Sequence, residues 1–360
     1  MRFPSQLPGL TLALLAFAGC PKKTDEPVYT WADTPTLPSP SAGTYARAPG
    51  LPPDPPLATF VAGTRWDASL SGAAAGIALA LANTPALPNW QVRHEVWRAG
   101  YPYPVQTLSV WHGDTGAPPP AGVSEWLAKA PGSADLGLVR ARNVNGDTWV
   151  GLVATPRGNV GVQPRQLPLG ASFTLPPIDG ARFVVADSVG DLKAGTLELP
   201  QTFTVDHPGE WLVKVTDGTG VVARFPLYVG ITPPTEPVVG EPVDGDADLQ
   251  VRDLIAHLRA VHDLPTFADD LLFDAAARRQ LQSEPLTKDQ LASRLGWDTD
   301  ALSTWDVQAT SVAEALDRVI WEPESRPALL SEVAVAGIAA EDTPRGVRVI
   351  VIVGFGDDGA

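Results

Sequence analysis

The sequence predicts a multidomain α+β protein with a mixed α/β region at 57–147, a central β-sandwich at 148–231 and an α/β/α sandwich at 246–360. Three observations lead to this fold class. Runs typical of strands cluster in the middle of the chain, helical stripes cluster towards its end, and two proline-rich stretches, 20–56 and 232–245, flank the folded regions. The 360 residues are enough for two or three domains of ordinary size.

Residues 1–19 have the character of a secretory signal. An apolar run at 10–17 follows a positive charge at Arg2 and is too short to remain as a membrane span. The segment from Phe17 to Cys20 resembles a lipobox, in which the cysteine after the cleavage site receives lipid, although leucine is commoner than phenylalanine at that place. We therefore expect cleavage before Cys20 and lipidation of Cys20. An ordinary signal peptide with an incidental cysteine is the alternative.

Two stretches lack a core-forming pattern. Residues 20–56 combine recurrent proline with Ser, Thr, Ala and Gly, a composition that buries little surface, so we expect an extended tether that lifts the folded part off the membrane. Residues 232–245 hold four prolines among Glu and Gly and are expected to link two domains.

The region 57–147 combines helix and strand signals. An alanine-rich run at 73–82 predicts a helix that ends before Pro85. A shorter helix is expected at 123–130, and the run 149–153 predicts the first strand of the next region.

Residues 148–231 have the pattern of a β-sandwich. A hairpin is predicted around the turn 217–220, because turn-forming residues there separate two β-rich runs. Trp211, Val213 and Val215 are expected to share one face of its first strand. The evenly spaced strands resemble an immunoglobulin-like domain. The predicted strands are 172–175, 181–186, 196–205, 210–216 and 221–225.

The last region, 246–360, combines helices with two closing strands. The predicted elements are helices at 248–262 and 268–281, a helix from the capping box Thr287–Gln290 to Gly296, a helix that begins with a capping box at Ser311–Glu314, and strands at 332–339 and 347–355. Such an arrangement predicts an α/β/α sandwich.

Charge and composition exclude several function classes. The net charge of −15 repels phosphate backbones, so we expect no nucleic-acid partner. A single cysteine excludes disulfides within the chain. No stretch after the signal reaches the length and apolar character of a transmembrane helix.

No pattern in the sequence predicts a metal site or a cofactor. His257 and His262 are about 140° apart around a helix axis, so they would not bind one ion from one face. The aspartates of 244–248 imitate the start of a calcium loop, but Leu249 and Ile255 stand where glycine and glutamate are needed.

No pattern predicts a catalytic residue either. The segment 186–190 is one glycine short of a nucleophile elbow and is expected in a turn between two strands. The paired aspartates at 269–270 and 357–358 are adjacent in sequence and do not face each other across a cleft.

The C-terminal region resembles the CAP superfamily, which comprises cysteine-rich secretory proteins, antigen 5 and pathogenesis-related proteins. Four stretches appear in the family's order, and together they cover about a third of the chain. They are 254–265, which ends in Asp-Leu-Pro where the family has Gly-Leu-Pro; 271–278, with its paired alanines; 315–330, which is similar to an amphipathic helix followed by Ser-Pro-Gly-His-Arg; and the closing strands at 335–339 and 349–355.

The segments upstream strengthen this resemblance. Residues 203–211 and 225–230 resemble the β-domain that precedes the CAP domain in exported proteins of myxobacteria and their relatives. The resemblance implies a Gram-negative cell envelope. Pro21 rather than aspartate follows the lipidated cysteine, so sorting to the outer membrane is expected.

The resemblance implies a groove with two histidines and two acidic residues, which binds a divalent ion in some members. Here Ser325, next to Arg326, takes the place of one histidine, and 279–285 lacks the other. Asp306 lies near the place of one acidic residue. We therefore expect Asp306, Ser325 and Arg326 to form a degenerate groove that binds no metal.

These observations predict a non-catalytic cell-envelope lipoprotein that binds or positions something. Its expected partners are the membrane, through the anchor, and a protein, glycan or lipid ligand. The alternatives are an envelope hydrolase that uses Asp306, or a protein that binds sterol or fatty acid in the CAP groove.

Overall fold

The computed structural model of the chain describes residues 30–31, 43–52, 65–81, 87–143, 146–236, 245–282, 285–332 and 334–356. Within these residues the protein has a mixed α/β fold with eight α-helices and five sheets, as the sequence predicted at this coarse level. No helix in the described ranges is both long enough and apolar enough to span a membrane.

The first sheet, which we call the N-terminal sheet, has the strand order β1-β5-β6-β4, with β3 beside β5. Side chains alternate between its faces: Val139 and Val150 belong to the cluster that contains α1, while Leu138 and Trp149 pack with α3. Its elements are β1 (Thr30–Trp31), β2 (Thr44–Tyr45, outside the sheet), β3 (Arg65–Trp66), α1 (Ala68–Ala80), α2 (Asn89–Arg98), β4 (Val105–Gly113), α3 (Ala121–Lys129), β5 (Asp135–Asn143) and β6 (Gly146–Ala154).

Helix α1 confirms the prediction from the alanine-rich run, but it begins earlier. The Asp67 side chain accepts hydrogen bonds from the N–H groups of Ser69 and Leu70 and so caps the helix. Small residues let the helix lie close to the sheet: a Cβ on Gly137 of β5 would lie 2.4 Å from the Leu70 backbone. The shorter predicted helix is confirmed as α3.

Part of the predicted tether is packed against the fold. Residues 43–52 belong to the stretch expected to be extended and solvated, yet Tyr45 is fully buried. The Arg47 guanidinium donates to the buried carboxylate of Asp135 at 2.5 Å and 2.7 Å. The tether prediction was therefore wrong for these residues, because one buried aromatic ring and one ion pair outweigh the proline-rich composition around them.

Two central sheets follow, with the orders β11-β10-β13-β14-β8 and β12-β9. They meet through aromatic rings, since Phe203 stacks on Phe173 at 5.0 Å and contacts Phe183 edge-on at 5.2 Å. The elements are β7 (Gln163–Pro164, paired with β2), β8 (Gln166–Leu167), β9 (Ser172–Leu175), β10 (Arg182–Ala186), β11 (Leu192–Thr196), β12 (Gln201–Thr204), β13 (Gly209–Asp217) and β14 (Gly220–Val229).

The predicted hairpin is confirmed as β13 and β14. The Asp217 carboxylate accepts the N–H groups of Thr219 and Gly220 and so closes the turn between the strands. Trp211, together with the residues expected on its face of β13, is buried. The predicted run 196–205 is divided, because residues 197–200 interrupt it before β12.

The C-terminal sheet has the order β15-β17-β18-β16 and carries helices on both faces. On β18, Val349 and Val351 pack with α4 and α7, while Ile350 and Ile352 pack with α5 and α6. Two short 3-10 helices cover Thr299–Ala301 and Pro323–Ser325. The other elements are α4 (Ala247–Val261), β15 (Ala268–Asp269), α5 (Leu271–Gln282), α6 (Lys288–Leu295), β16 (Leu302–Ala309), α7 (Val312–Ile320), α8 (Arg326–Leu329), β17 (Ala334–Thr343) and β18 (Gly346–Phe355).

The helix caps of this region follow the sequence signals. Thr287 and Gln290 form the reciprocal capping box of α6, and Gly296 ends that helix in the left-handed conformation. Ser311 caps α7, but the Glu314 carboxylate accepts the N–H of Thr310 instead of that of Ser311.

Strand β16 was not predicted, and its pairing with β18 completes the sheet.

One continuous buried cluster contains residues of the N-terminal, central and C-terminal sheets. Tyr45 contacts Phe225 of β14 with ring centroids 5.1 Å apart, and Trp97 of α2 contacts Trp321 after α7 at 4.6 Å. The described regions are therefore packed together and share buried apolar surface.

Candidate functional site

Asp306, the acidic residue of the predicted groove, lies on strand β16. Its side chain is 47% exposed and accepts two hydrogen bonds from the Arg348 guanidinium of the neighbouring strand β18, at 2.7 Å and 3.0 Å. This pairing raises the pKa of Arg348. The arrangement is a surface ion pair across two strands.

Ser325 and Arg326, the other two predicted groove residues, are both buried. Arg326 is 1% exposed, and its Nη2 donates to Glu210 Oε1 of β13 at 2.7 Å. The same guanidinium lies 5.7 Å from the ring of Trp321. The expectation of a shared groove was wrong, because Arg326 is buried against the central sheets while Asp306 is exposed and bound to a different arginine.

Arg326 belongs to residues 321–330, which contact the central sheets and which we call the docking segment. The Glu322 carboxylate forms ion pairs with two residues of the central sheets. Lys214 Nζ lies 2.5 Å from Oε2, and Arg224 Nη2 lies 2.6 Å from Oε1. Gly190 lies so close that a Cβ there would be 3.0 Å from the backbone oxygen of Arg326. The place where the family resemblance puts a groove histidine is therefore occupied by contacts between the central and C-terminal sheets.

The segment 187–190 forms the turn between β10 and β11, as the sequence predicted. The Asp187 Oδ1 accepts the N–H groups of Val189 and Asp191, and the Ser188 hydroxyl donates to the backbone oxygen of Pro208 at 2.6 Å. Burial raises the pKa of Asp187, although the two N–H groups oppose this. These side chains hold two turns together.

The same turns bring together a group that the sequence search missed. Asp187, Asp206 and His207 place potential ligand atoms within 4.8 Å of one another, and no other such group of three occurs in the described part of the chain. Asp187 is buried, His207 is half-buried and Asp206 is exposed. Asp187 lies 19 and 20 positions before the other two in sequence and meets them only because two turns are adjacent, so spacing gave no signal.

A cavity of about 440 Å³, which we call the junction pocket, lies where α2, β4, β14 and α7 meet. No sequence pattern pointed to it, because its walls come from four separate elements. Among the residues that line it are Arg93 and Val96 of α2, Val105–Leu108 of β4, Arg224 of β14, and Glu314, Asp317 and Arg318 of α7.

The pocket has carboxylates beneath and arginines nearer to solvent. Arg93 Nη1 lies 2.6 Å from Asp317 Oδ2, and Arg318 Nη2 lies 2.7 Å from Glu314 Oε1. The side chains of Asp317 and Glu314 are 0% and 6% exposed, whereas those of Arg93 and Arg318 are 28% and 50% exposed. A ligand that enters from solvent therefore meets guanidinium groups first.

Burial affects the two carboxyl groups differently. Desolvation raises the pKa of Asp317 to about 6, although Arg93 and Arg224 act against it. Desolvation also opposes ionisation of Glu314, but hydrogen bonds from Thr310, Arg318 and Asn89 lower its pKa to about 2. Glu314 therefore stays charged at neutral pH, while Asp317 becomes protonated in mildly acidic solution.

Several sequence predictions fall outside the described residues. Cys20, the signal segment 1–19 and most of the tether lie there, as do residues 237–244 of the predicted linker. The histidines His257 and His262 are described; the first is exposed and the second half-buried, and neither belongs to the group of three ligands.

The chain matches no known family model and no curated protein. The resemblances of its central and C-terminal regions therefore rest on the residues of 203–230 and 254–355 alone.

Proposed function

We propose that the protein is a non-catalytic lipoprotein of the bacterial cell envelope, with a central immunoglobulin-like sandwich and a degenerate CAP-like domain, and that it acts as a binding scaffold. Two packed sheets with a hairpin at β13–β14 support the first assignment. A sheet with helices on both faces, closed by two long C-terminal strands, supports the second.

The buried pair of Arg326 and Glu210 carries the non-catalytic part of the proposal. A catalytic groove needs reacting groups that face solvent and a substrate. Here Ser325, which occupies the position of a groove histidine in the CAP resemblance, is 2% exposed. Its neighbour Arg326 is bound to the central sheets. The segment therefore acts as an attachment between domains in this proposal.

The anchor part of the proposal rests on the sequence around Cys20. A lipidated Cys20 would hold the chain on a membrane, and Pro21 after it favours the outer membrane. The test is fractionation of cells that express the wild-type chain or Cys20→Ser. We expect the wild type in the outer-membrane fraction and the variant in the soluble fraction; equal distribution would contradict the anchor.

The absence of catalysis is tested on the purified full chain. We expect neither Zn²⁺ nor Ca²⁺ to raise the melting temperature, and Asp306→Ala to leave any hydrolysis of peptidoglycan fragments or acyl esters unchanged. The matched control is Asp342→Ala, since Asp342 is an exposed carboxylate on β17. A rise of several degrees with metal that is lost in Asp306→Ala, or hydrolysis lost in Asp306→Ala alone, would favour the hydrolase.

A further inference from the structure

The N-terminal sheet ends in a long strand that is open on one side. Strand β4 pairs with β6, and no other strand in the described residues pairs with it. Its nine residues include no Asp, Glu, Lys, Arg or Pro, and Val110 is 37% exposed. Such an edge presents unpaired backbone N–H and C=O groups to another chain.

Two other edge strands of the protein carry charges that usually prevent pairing, whereas the four-residue edge strands β9 and β12 carry none. Strand β16, the other edge strand of eight or more residues in the described ranges, carries Asp306. The shorter edge strand β11 carries the exposed Lys193. Because charged side chains on an edge discourage strand addition, the regular part of β4 after the register shift at Val105–Thr107 differs from both in being suited to it.

The junction pocket begins at the start of this open strand. Residues 103–108 line the pocket, so a chain that follows β4 in this direction reaches its mouth. There Arg318 and Arg93, each of which also contacts a buried pocket carboxylate, are 50% and 28% exposed. In addition, the Nε–H of Arg224 is buried without an acceptor among the described residues. These guanidinium groups complement an anionic group at the end of the incoming chain.

We propose that β4 and the junction pocket together form a docking site for an extended acidic peptide segment of a partner protein. The backbone of the segment pairs with β4, and a carboxylate at its end binds beside Arg93 and Arg318. The apolar walls formed by Val92 and Val96 accept a side chain next to that carboxylate. This inference rests on the proposed binding function and names its ligand class.

The test uses the full chain in detergent and a fluorescein-labelled ten-residue peptide that alternates Thr and Val and ends in two aspartates. We expect saturable binding by fluorescence anisotropy, and binding at least tenfold weaker for the same peptide ending in two lysines. Two further peptides carry N-methyl groups on all Thr or on all Val residues. One should lose binding and the other keep it, because a strand pairs through alternate N–H groups.

The matched variants are Arg318→Gln in the pocket and Arg278→Gln on the exposed face of α5. Arg318→Gln should weaken binding of the aspartate peptide about tenfold, the effect of losing one charge-assisted hydrogen bond, and Arg278→Gln should not.

Any of three binding results would overturn the proposal: no binding at millimolar peptide, equal effects of the two methylation patterns, or equal affinity of the two arginine variants. A dimer in analytical ultracentrifugation that competes with the peptide would assign β4 to a second copy and would also overturn it. Hydrolytic activity, if found, would contradict the non-catalytic function, but the binding results would still test the docking site separately.

Discussion

Replacing Glu210 with Gln should destabilise the protein far more than the same change in an exposed ion pair. The carboxylate of Glu210 lies 2.7 Å from Arg326, and their side chains are 8% and 1% exposed. Nε and Nη1 of Arg326 are buried without acceptors among the described residues, so Gln would leave a buried guanidinium without its counter-charge. Loss of one partner of a buried pair costs about 3–5 kcal/mol, and the Trp321 ring nearby favours the lower end.

The assay is urea unfolding at pH 7, followed by tryptophan fluorescence and far-ultraviolet circular dichroism. Asp306→Asn is the control, because the Asp306–Arg348 pair has the same chemistry but side chains that are 47% and 25% exposed. We expect a loss of less than about 1 kcal/mol from the control. Adding Arg326→Met to Glu210→Gln should recover most of the lost free energy, since the uncompensated charge is then removed.

Equal free-energy losses in Glu210→Gln and Asp306→Asn would refute this reasoning. They would mean that water reaches the Arg326 guanidinium and that the docking segment contributes little to holding the sheets together. A double variant no more stable than Glu210→Gln would refute the charge argument and indicate lost packing instead.

Three further predictions concern stability. Because burial raises the pKa of Asp317 to about 6 from 3.8, the folded state binds this proton more tightly. The stability of the wild type relative to Asp317→Asn should therefore rise by about 2 kcal/mol as pH falls from 7 to 4 in urea unfolding, and a constant difference would contradict it. Gly337→Ala should cost about 3 kcal/mol, since its Cβ would lie 2.0 Å from the Phe273 backbone, whereas Gly218→Ala, with no atom within 4 Å, should cost little in the same assay. Thr287→Ala should lower the free energy of unfolding by about 1 kcal/mol through loss of the capping box, and an unchanged midpoint would count against that bond.

The sequence by itself determined the local elements of this protein. The hairpin around 217–220, the capping box at Thr287 and the left-handed end at Gly296 all depend on residues within a few positions of each other. The mixed α and β content followed from the same short-range patterns. The hydrogen bonds of short turns and caps join residues that are close in sequence, so local sequence patterns predict them.

The tertiary structure alone decided which residues meet. Tyr45 belongs to a proline-rich stretch but is buried in the core, and Arg326 forms an ion pair with Glu210, which is 116 positions away. The junction pocket draws its walls from four elements. Each of these depends on burial and ion pairing between residues distant in sequence, and no local periodicity records such contacts.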